Sequence, residues 1–210
     1  MNLKILDTEP QAIAVEKFFS SEEVVGLLES SKREFEREKA NRIIYDGTVC
    51  EIKPRALRRL ADIDLFRQRI EDFIKQRTEY KVNFRKLWFV NTTHKHADPK
   101  KLPYIAHFDK KRYLKFMVYL TDVSPRSGPL TLMKYEGQDI EARRLKLQKN
   151  GLGSNILDDK PCGSFVLTAQ AGSLVMFDTN TPHLAGFIKP DEHRSVARFD
   201  FETDGWNKKL

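Results

Sequence analysis

The chain has 210 residues, 40% hydrophobic and 10% aromatic, which argues against an intrinsically disordered protein and suits one folded domain over residues 1–210. Basic residues exceed acidic ones by 37 − 30 = 7, which favours an anionic substrate, nucleic acid or membrane surface as partner. Two cysteines outside any Cys-x-x-Cys pattern argue against a disulfide scaffold and for a reducing cytoplasm. We expect no signal peptide and no transmembrane segment, because no apolar run is long enough.

The N-terminal part of the chain, residues 1–80, predicts a helical support that follows a short extended lead-in. Ser20 and Glu23 have the spacing of a capping box, which starts a predicted helix over residues 21–40. A second helix is predicted over residues 63–79, because its apolar residues recur at helical spacing. Those apolar residues are Leu65, Ile70, Phe73 and Ile74.

From residue 82 onward, short apolar or alternating segments are separated by turn residues. These segments read FRKLWFVNTT, RYLKFMVYLTDV, GPLTLM, GSFVLTA, GSLVMFD, LAGFIK and SVARFDFE. Many short strands with such turns predict an antiparallel barrel or jelly roll over residues 81–210. Helices first and strands afterwards indicate an α+β fold in which the helices pack on one sheet.

A polar, charged stretch over residues 136–162 interrupts the strand pattern. It contains a predicted helix over residues 140–148, and a long insertion of this kind is a surface loop or, in an enzyme, often a lid. If the substrate is anionic, Arg143 and Arg144 in this insertion and Arg126 beside it are its expected contacts. The alternative is that these arginines form an ordinary solvated face.

A candidate metal site begins with residues 107–109, which read His-Phe-Asp. Side chains two positions apart on a strand point to one face, so His107 and Asp109 can reach the same ion. His183, after another predicted strand and turn, is the best third ligand. Two histidines and one carboxylate that leave coordination positions open are typical of non-haem Fe(II) oxygenases.

Two arginines follow this set on a predicted strand. Arg194 comes shortly after His183, where that strand begins, and a guanidinium can pair with a carboxylate through two hydrogen bonds. We therefore expect Arg194 to hold the distal carboxylate of 2-oxoglutarate. Arg198 shares a strand face with Arg194, and it either binds a substrate anion or forms an ordinary ion pair.

The segments HFD, VYLTDVSPRSGPL, FDTNTPHLAG and HRSVARFDF occur in an order that resembles 2-oxoglutarate-dependent oxygenases of the phytanoyl-CoA dioxygenase type. The resemblance covers residues 103–201 and implies a cupin-like double-stranded β-helix. It also implies that Fe(II) is held by His107, Asp109 and His183, with Arg194 on the co-substrate. The implied reaction uses dioxygen to hydroxylate a substrate and releases succinate and CO2.

Other features of the resemblance concern the substrate and the outcome of the reaction. The family's Pro-Gly-Ser-His after GPL is replaced by MKYE over residues 133–136, which leaves the substrate open between a small molecule and a polymer-attached group. The segment AQAGSLVMFD is also similar to prolyl 4-hydroxylases. Related halogenases have Gly or Ala in place of the ligand carboxylate, so the presence of Asp109 favours hydroxylation.

Three further residues are candidates for co-substrate binding: Lys115, Thr131 and Asn91. For Lys115 the strand end favours solvent over an inward position, and Thr131 is also explained by strand propensity. His94 and His96 beside Asp98 suggest a second metal site, but no fourth ligand is evident and an exposed loop is the preferred interpretation.

Two other functions remain open. One is a cupin-like metalloenzyme of another reaction class, which would have no use for Arg194. The other is an inactive binding module for nucleic acid or another anionic polymer. The absence of a basic stripe interleaved with aromatic residues argues against nucleic acid.

Overall fold

The computed structural model of the chain describes residues 3–6, 12–37, 41–44, 49–52, 54–60, 62–77, 81–94, 98–151 and 153–203. The helices in these ranges are α1 (Ser21–Phe35), α2 (Pro54–Leu57), α3 (Ile63–Arg77) and α4 (Ile140–Asn150). The predicted starts of α1, α3 and α4 are confirmed. The predicted end of α1 is wrong, because the helix ends at Phe35 with Glu36 as its C-cap.

The start of α1 has the predicted capping box. The Ser20 hydroxyl accepts a hydrogen bond from the backbone N–H of Glu23 at 3.3 Å, and the Glu23 carboxylate accepts one from the Ser20 N–H at 2.7 Å. Two backbone donors that the helix itself leaves unpaired are thereby satisfied.

The strands form two antiparallel sheets. Their bounds are β1 (Leu3–Leu6), β2 (Ala12–Val15), β3 (Asn41–Ile44), β4 (Val49–Ile52), β5 (Val82–Thr93), β6 (Leu114–Tyr119), β7 (Leu130–Lys134), β8 (Gly163–Leu167), β9 (Leu174–Asp178), β10 (His183–Ala185) and β11 (His193–Thr203). The larger sheet has the order β1-β2-β9-β6-β11-β5-β4-β3, and the smaller one β10-β7-β8. Strands β3 and β4, between α1 and α2, were not predicted from the sequence.

Alternation along the strands gives the larger sheet two apolar faces. Phe116, Val118 and Phe199 belong to one cluster of buried side chains, which also contains residues of α1 and α3. Met117 and Tyr119, the intervening residues of β6, belong to a second cluster with residues of the smaller sheet. The second cluster therefore lies between the sheets, on the face where the chemistry-bearing side chains are found.

A third, smaller cluster attaches the insertion to the rest of the molecule. It contains Phe108, which lies between the predicted ligands His107 and Asp109, together with Ile140 from the start of α4 and Leu157. The insertion is thus packed against the segment that carries two predicted metal ligands. In the described ranges, no helix is long and apolar enough to cross a membrane.

Replacing Ser20 with Ala is expected to lower the free energy of unfolding by about 1 kcal/mol, because the helix loses its N-cap acceptor. Chemical denaturation followed by circular dichroism measures the change. Ser21→Ala is the matched control, since Ser21 is exposed at the first helical position. Equal effects of the two substitutions would show that the cap contributes nothing specific.

Candidate metal centre and its cavity

Two predicted ligands, His107 and His183, are far apart in the sequence and meet through a pair of backbone hydrogen bonds. The N–H of His107 donates to the carbonyl of His183 at 3.0 Å, and the N–H of His183 donates to the carbonyl of His107 at 2.8 Å. In an antiparallel pair of this kind the two side chains lie on the same face. The imidazole rings accordingly have centroids 4.5 Å apart.

The hydrogen bonds of the two imidazoles determine which nitrogen is free to bind a metal. Nδ1 of His107 lies 2.8 Å from the carbonyl oxygen of Ile105, and Nδ1 of His183 lies 2.9 Å from that of Thr181. A carbonyl oxygen can only accept, so Nδ1 carries the proton and Nε2 keeps its lone pair in the neutral ring. Burial lowers the pKa of both histidines, which favours this neutral form.

The third ligand, Asp109, is oriented by a lysine. Lys115 is only 6% exposed, and its Nζ lies 2.5 Å from Oδ2 of Asp109. The other carboxylate oxygen, Oδ1, lies 3.6 Å from Nε2 of His183. Burial alone would raise the pKa of Asp109, but the charge of Lys115 and the hydrogen bond from its ammonium group hold it well below its usual range. Asp109 is therefore an anion, as a metal ligand must be.

The three donor atoms fit a divalent cation. One atom from each of His107, Asp109 and His183 lies within 4.8 Å of the other two, and metal–ligand bonds of about 2.0–2.2 Å place neighbouring donors about 3 Å apart. In the part of the chain that the structure describes, this is the one such group of metal-binding side chains. His94 is exposed, as expected for a loop, while His96 lies outside the described residues.

The triad opens into a cavity of about 370 Å³ between the two sheets. Six sequence-predicted site residues line it: His107, Asp109, His183, Arg194, Lys115 and Arg198. For Lys115, the preferred solvent position is wrong, because its ammonium group is buried against Asp109.

Arg194 is a buried cation that lacks an acidic partner among the described residues. Its side chain is 7% exposed, and Nη1 donates to the backbone carbonyl of Gly128, the first residue of the GPL motif. Its Nε is buried and makes no hydrogen bond. Burial lowers the pKa of Arg194, although nearby Tyr119 and Tyr104 raise it; an arginine nevertheless stays charged. A carboxylate would satisfy both the charge and the free donor.

Two predicted co-substrate residues do not line the cavity. On β7 the cavity-lining residue is Leu130, so the next residue, Thr131, points to the other face of the strand. On β5 the two neighbours of Asn91, Val90 and Thr92, line the cavity, so Asn91 points to the other face. Its Oδ1 accepts a hydrogen bond from the Ser195 hydroxyl at 3.2 Å. Both expectations chose the right strand and the wrong face.

The arginines predicted to contact an anionic substrate also need correction. Arg126 is exposed outside the cavity and pairs with Glu192 at 3.4 Å. Arg143 does not line the cavity either, and its Nη1 donates to the Gln138 side chain at 2.5 Å. Neither side chain is among the residues that line the cavity of the metal centre.

Arg144 departs most clearly from the predicted substrate contact, because it is only 1% exposed. Its Nε donates to the backbone carbonyl of Asp109 at 2.9 Å, and its Nη2 donates to that of Thr179 at 2.9 Å. Its Nη1 donates to Glu141 at 2.6 Å and also to Asn180. Arg144 therefore joins α4 to both segments that lead to metal ligands, and all three of its nitrogens are occupied within the chain.

Sequence reasoning missed several residues around the mouth of the cavity. Lys110 and Lys111 directly follow the His-Phe-Asp triplet, while Lys86 and Trp88 line the cavity from β5. Asp200 lines it from β11. The alternation of β5 and β11 was available as a signal, but the inward face of β5 cannot be chosen before its register with β11 is known.

Comparison with protein-family models and with curated proteins finds no match to the sequence. Among solved structures, the chain is similar to EvdO2 from Micromonospora carbonacea var. aurantiaca complexed with 2-oxoglutarate, with a TM-score of 0.66, 20% identity, and 91% of this chain and 86% of that one covered. It is also similar to SnoN, a non-haem α-ketoglutarate-dependent epimerase from nogalamycin biosynthesis (TM-score 0.65, 18% identity, 91% and 77% covered). A third similar structure is HygX from Streptomyces hygroscopicus with nickel, 2-oxoglutarate and hygromycin B bound. Its TM-score is 0.59 and its sequence identity 11%, with 92% of this chain and 83% of that one covered.

At these identities the similarity establishes the fold. The antiparallel sheets of this chain belong to the same jelly-roll-like architecture as these enzymes, so the predicted fold class is confirmed at that level. The metal triad and the buried arginine are features of this chain itself.

Replacing Arg144 with Met is expected to lower the free energy of unfolding by about 2–4 kcal/mol, because two backbone carbonyls and two side chains lose a buried donor. Urea denaturation measures the change. Arg143→Met is the matched control on the neighbouring residue of α4, and we expect it to change stability by less than about 1 kcal/mol. A similar loss in both variants would contradict the specific role of Arg144.

Proposed function

We propose that the protein is an Fe(II)- and 2-oxoglutarate-dependent dioxygenase that hydroxylates a small-molecule substrate and releases succinate and CO2. The observation that carries the proposal is the presence of two complementary features in one cavity. One is the metal-binding triad, and the other is Arg194, a buried guanidinium without an acidic partner among the described residues.

The ligands of this site suit an iron ion with coordination positions left open for co-substrate and dioxygen. His107 and His183 would bind it through Nε2, and Asp109 through a carboxylate oxygen, as in non-haem Fe(II) oxygenases. When bound, Fe(II) and 2-oxoglutarate supply the oxidising chemistry with dioxygen, coupled to decarboxylation of the co-substrate. The hydrogen bonds to Ile105 and Thr181 fix the ring orientation in advance, and such supporting contacts raise metal affinity.

Lys115 has a defined part in this arrangement. It binds Oδ2 of Asp109 and leaves Oδ1, which is closer to His183, for the metal. A one-oxygen carboxylate ligand leaves more of the coordination sphere for co-substrate and dioxygen than a two-oxygen ligand does. The ammonium group also neutralises the buried carboxylate before any metal binds.

Arg194 distinguishes this proposal from a cupin-like enzyme of another reaction class. A buried cation is costly unless it is paired, and the carboxylate at the far end of 2-oxoglutarate would supply the pair. Leu130 and Val196 line the same cavity, and their apolar side chains keep water away and strengthen the ion pair. The Gly128 carbonyl holds one side of the guanidinium.

Hydroxylation is the outcome that we propose because Asp109 is present as the carboxylate ligand. SnoN, which shares the fold, is an epimerase, so analysis of the substrate-derived product tests hydroxylation directly. The finer resemblance to phytanoyl-CoA dioxygenases supports hydroxylation and is part of the same proposal.

The metal ligands are tested by His107→Ala and Asp109→Ala. Each variant is expected to bind Fe(II) more weakly than the parent protein and to lose succinate formation from 2-oxoglutarate, since one of the three protein ligands is removed. Anaerobic titration with Fe(II) and succinate assays measure the two properties. If either variant binds iron like the parent protein, the triad is not the metal site.

The co-substrate contact is tested by Arg194→Met in the presence of metal. The dissociation constant for 2-oxoglutarate is expected to rise at least about 30-fold, corresponding to the roughly 2 kcal/mol or more that a buried charge pair contributes. Metal affinity should stay within about threefold. Arg126→Met, which removes an exposed arginine outside the cavity, is the control and should leave both constants unchanged. Unchanged 2-oxoglutarate binding in Arg194→Met would favour another reaction class.

A further inference from the structure

Strand β11 lines the cavity with four of its residues. Arg194, Val196, Arg198 and Asp200 all line it, and a strand advances about 3.3 Å per residue, so Arg194 and Asp200 are about 20 Å apart along β11. Asp200 is paired in register with Lys115, which contacts the metal ligand Asp109. Asp109 also interacts with Arg198, in the middle of this stretch of β11. The metal centre therefore lies between the two ends of the strand, with Arg194, the arginine assigned to 2-oxoglutarate, on one side of it and Asp200 on the other.

The residues around the Asp200 end carry an excess of positive charge. The cavity lining contains six cations (Lys86, Lys110, Lys111, Lys115, Arg194 and Arg198) and two carboxylates (Asp109 and Asp200). The balance is 6 − 2 = +4, and Fe(II) with the 2-oxoglutarate dianion adds no net charge to it. Both carboxylates are already used, Asp109 by Lys115 and Asp200 by Arg198. A positive field therefore faces the substrate after iron and co-substrate are accounted for.

Two of these cations are held in place by an indole ring. The Lys86 ammonium lies 3.5 Å from the ring centroid of Trp88, and the Arg198 guanidinium carbon lies 4.4 Å from it. Such contacts are favourable cation–π interactions. Arg198 is further fixed by two hydrogen bonds to Asp200, of 2.9 and 3.0 Å. Trp88 thus contacts two of the positive groups that line the cavity.

Lys110 and Lys111 are the remaining two cations of this group, and they come from the segment that follows Asp109. Their backbone is fixed, because the carbonyl of Lys110 accepts a hydrogen bond from Gln148 at 2.7 Å and that of Lys111 accepts one from Thr179 at 3.4 Å. Both side chains are exposed at the cavity, and no carboxylate among the described residues pairs with either ammonium. They directly follow Asp109, so an anion that they bind lies next to the metal centre.

We propose that the substrate carries a phosphate or carboxylate group, which binds the cationic rim formed by Lys86, Lys110, Lys111 and Arg198. This inference rests on the proposed function for the statement that the bound molecule is the substrate. The binding of the anion itself does not depend on iron. A small molecule fits better than a nucleic acid, because the rim encloses the mouth of a cavity of about 370 Å³ and Trp88 is already covered by two cations instead of open for base stacking.

The experiment uses phenyl phosphate and benzoate as anionic probes and benzamide as their neutral counterpart. Calorimetry with the metal-free protein, without and with saturating 2-oxoglutarate, measures their dissociation constants. At least one of the two anions should bind at least about tenfold more tightly than benzamide, and more weakly as salt rises. Which anion binds more tightly identifies the oxyanion of the substrate. Equal binding of benzamide, or no binding of either anion, would overturn the proposal.

A matched pair of double variants locates the anion. Lys110→Gln with Lys111→Gln should raise the dissociation constant of the preferred anion at least about tenfold, because two nearby cations are lost. Lys146→Gln with Lys149→Gln removes the same charge from exposed positions of α4 outside the cavity and should change it less than about twofold. Equal effects in the two pairs would mean that only the overall charge matters and would overturn the proposal.

Two further measurements separate this proposal from its alternatives. A single-stranded oligonucleotide that binds more tightly than phenyl phosphate and is weakened equally by both double variants would indicate a polymer-binding surface instead. The dissociation constant for 2-oxoglutarate, measured with Ni(II), should change less than about threefold in the Lys110 and Lys111 variant. If metal and 2-oxoglutarate fail to bind the parent protein while anion selectivity at the rim persists, the proposed function fails and the anion site stands.

Discussion

The candidate site depends on one backbone pairing, the two hydrogen bonds that His107 and His183 exchange. This pairing brings together segments that are distant in the sequence and places both imidazoles on one side. It also continues the smaller sheet, since β10 pairs with β7 and His107 pairs next with Ile156. The relative position of the two nitrogen ligands is thus set by a sheet, which is stiffer than a pair of loops. The site is therefore preorganised before a metal arrives.

The same region must accommodate charges in a largely apolar interior. An unpaired buried carboxylate costs several kcal/mol, and Lys115 removes that cost at Asp109. Arg144 acts on the main chain instead, since it binds the carbonyls of Asp109 and Thr179. Its own charge is balanced by Glu141. Arg194 alone among the cavity arginines lacks such a balance within the described residues, which is the reason that we propose an external anion as its partner.

The strands after residue 82 could be predicted from local periodicity. The meeting of the triad and Arg194 in one cavity could be predicted because two histidines, one carboxylate and a following arginine are a combination typical of non-haem Fe(II) oxygenases. For Thr131 and Asn91, the sequence could not predict which face of the strand each side chain occupies. A strand has two faces, and the choice between Thr131 and Leu130, or between Asn91 and Thr92, depends on register with strands far away in the sequence. The unpredicted β3 and β4 have the same origin, since β4 joins the sheet by pairing with β5, and β3 joins it by pairing with β4.

The error over Arg144 has a different physical cause. A charged helix with a weak apolar stripe predicts a solvated face, and α4 is such a helix in most of its positions. Arg144 is buried because backbone carbonyls from two other segments converge on it, and no pattern within α4 encodes those acceptors. Lys115 was misplaced for the same reason, since its partner Asp109 lies outside its own strand.

The distribution of charge along β11 has a consequence for the order in which ligands bind. With 2-oxoglutarate alone in the cavity, the net charge of the lining would fall from +4 to +2, which weakens attraction for an anionic substrate. Under the proposed function, Fe(II) held by the triad would restore it to +4 and would attract the keto-acid end of the co-substrate. A metal-loaded site could then hold two anions at opposite ends of β11 without their mutual repulsion dominating. The iron would thus supply both the reactive centre and the positive charge that lets co-substrate and substrate occupy one cavity together.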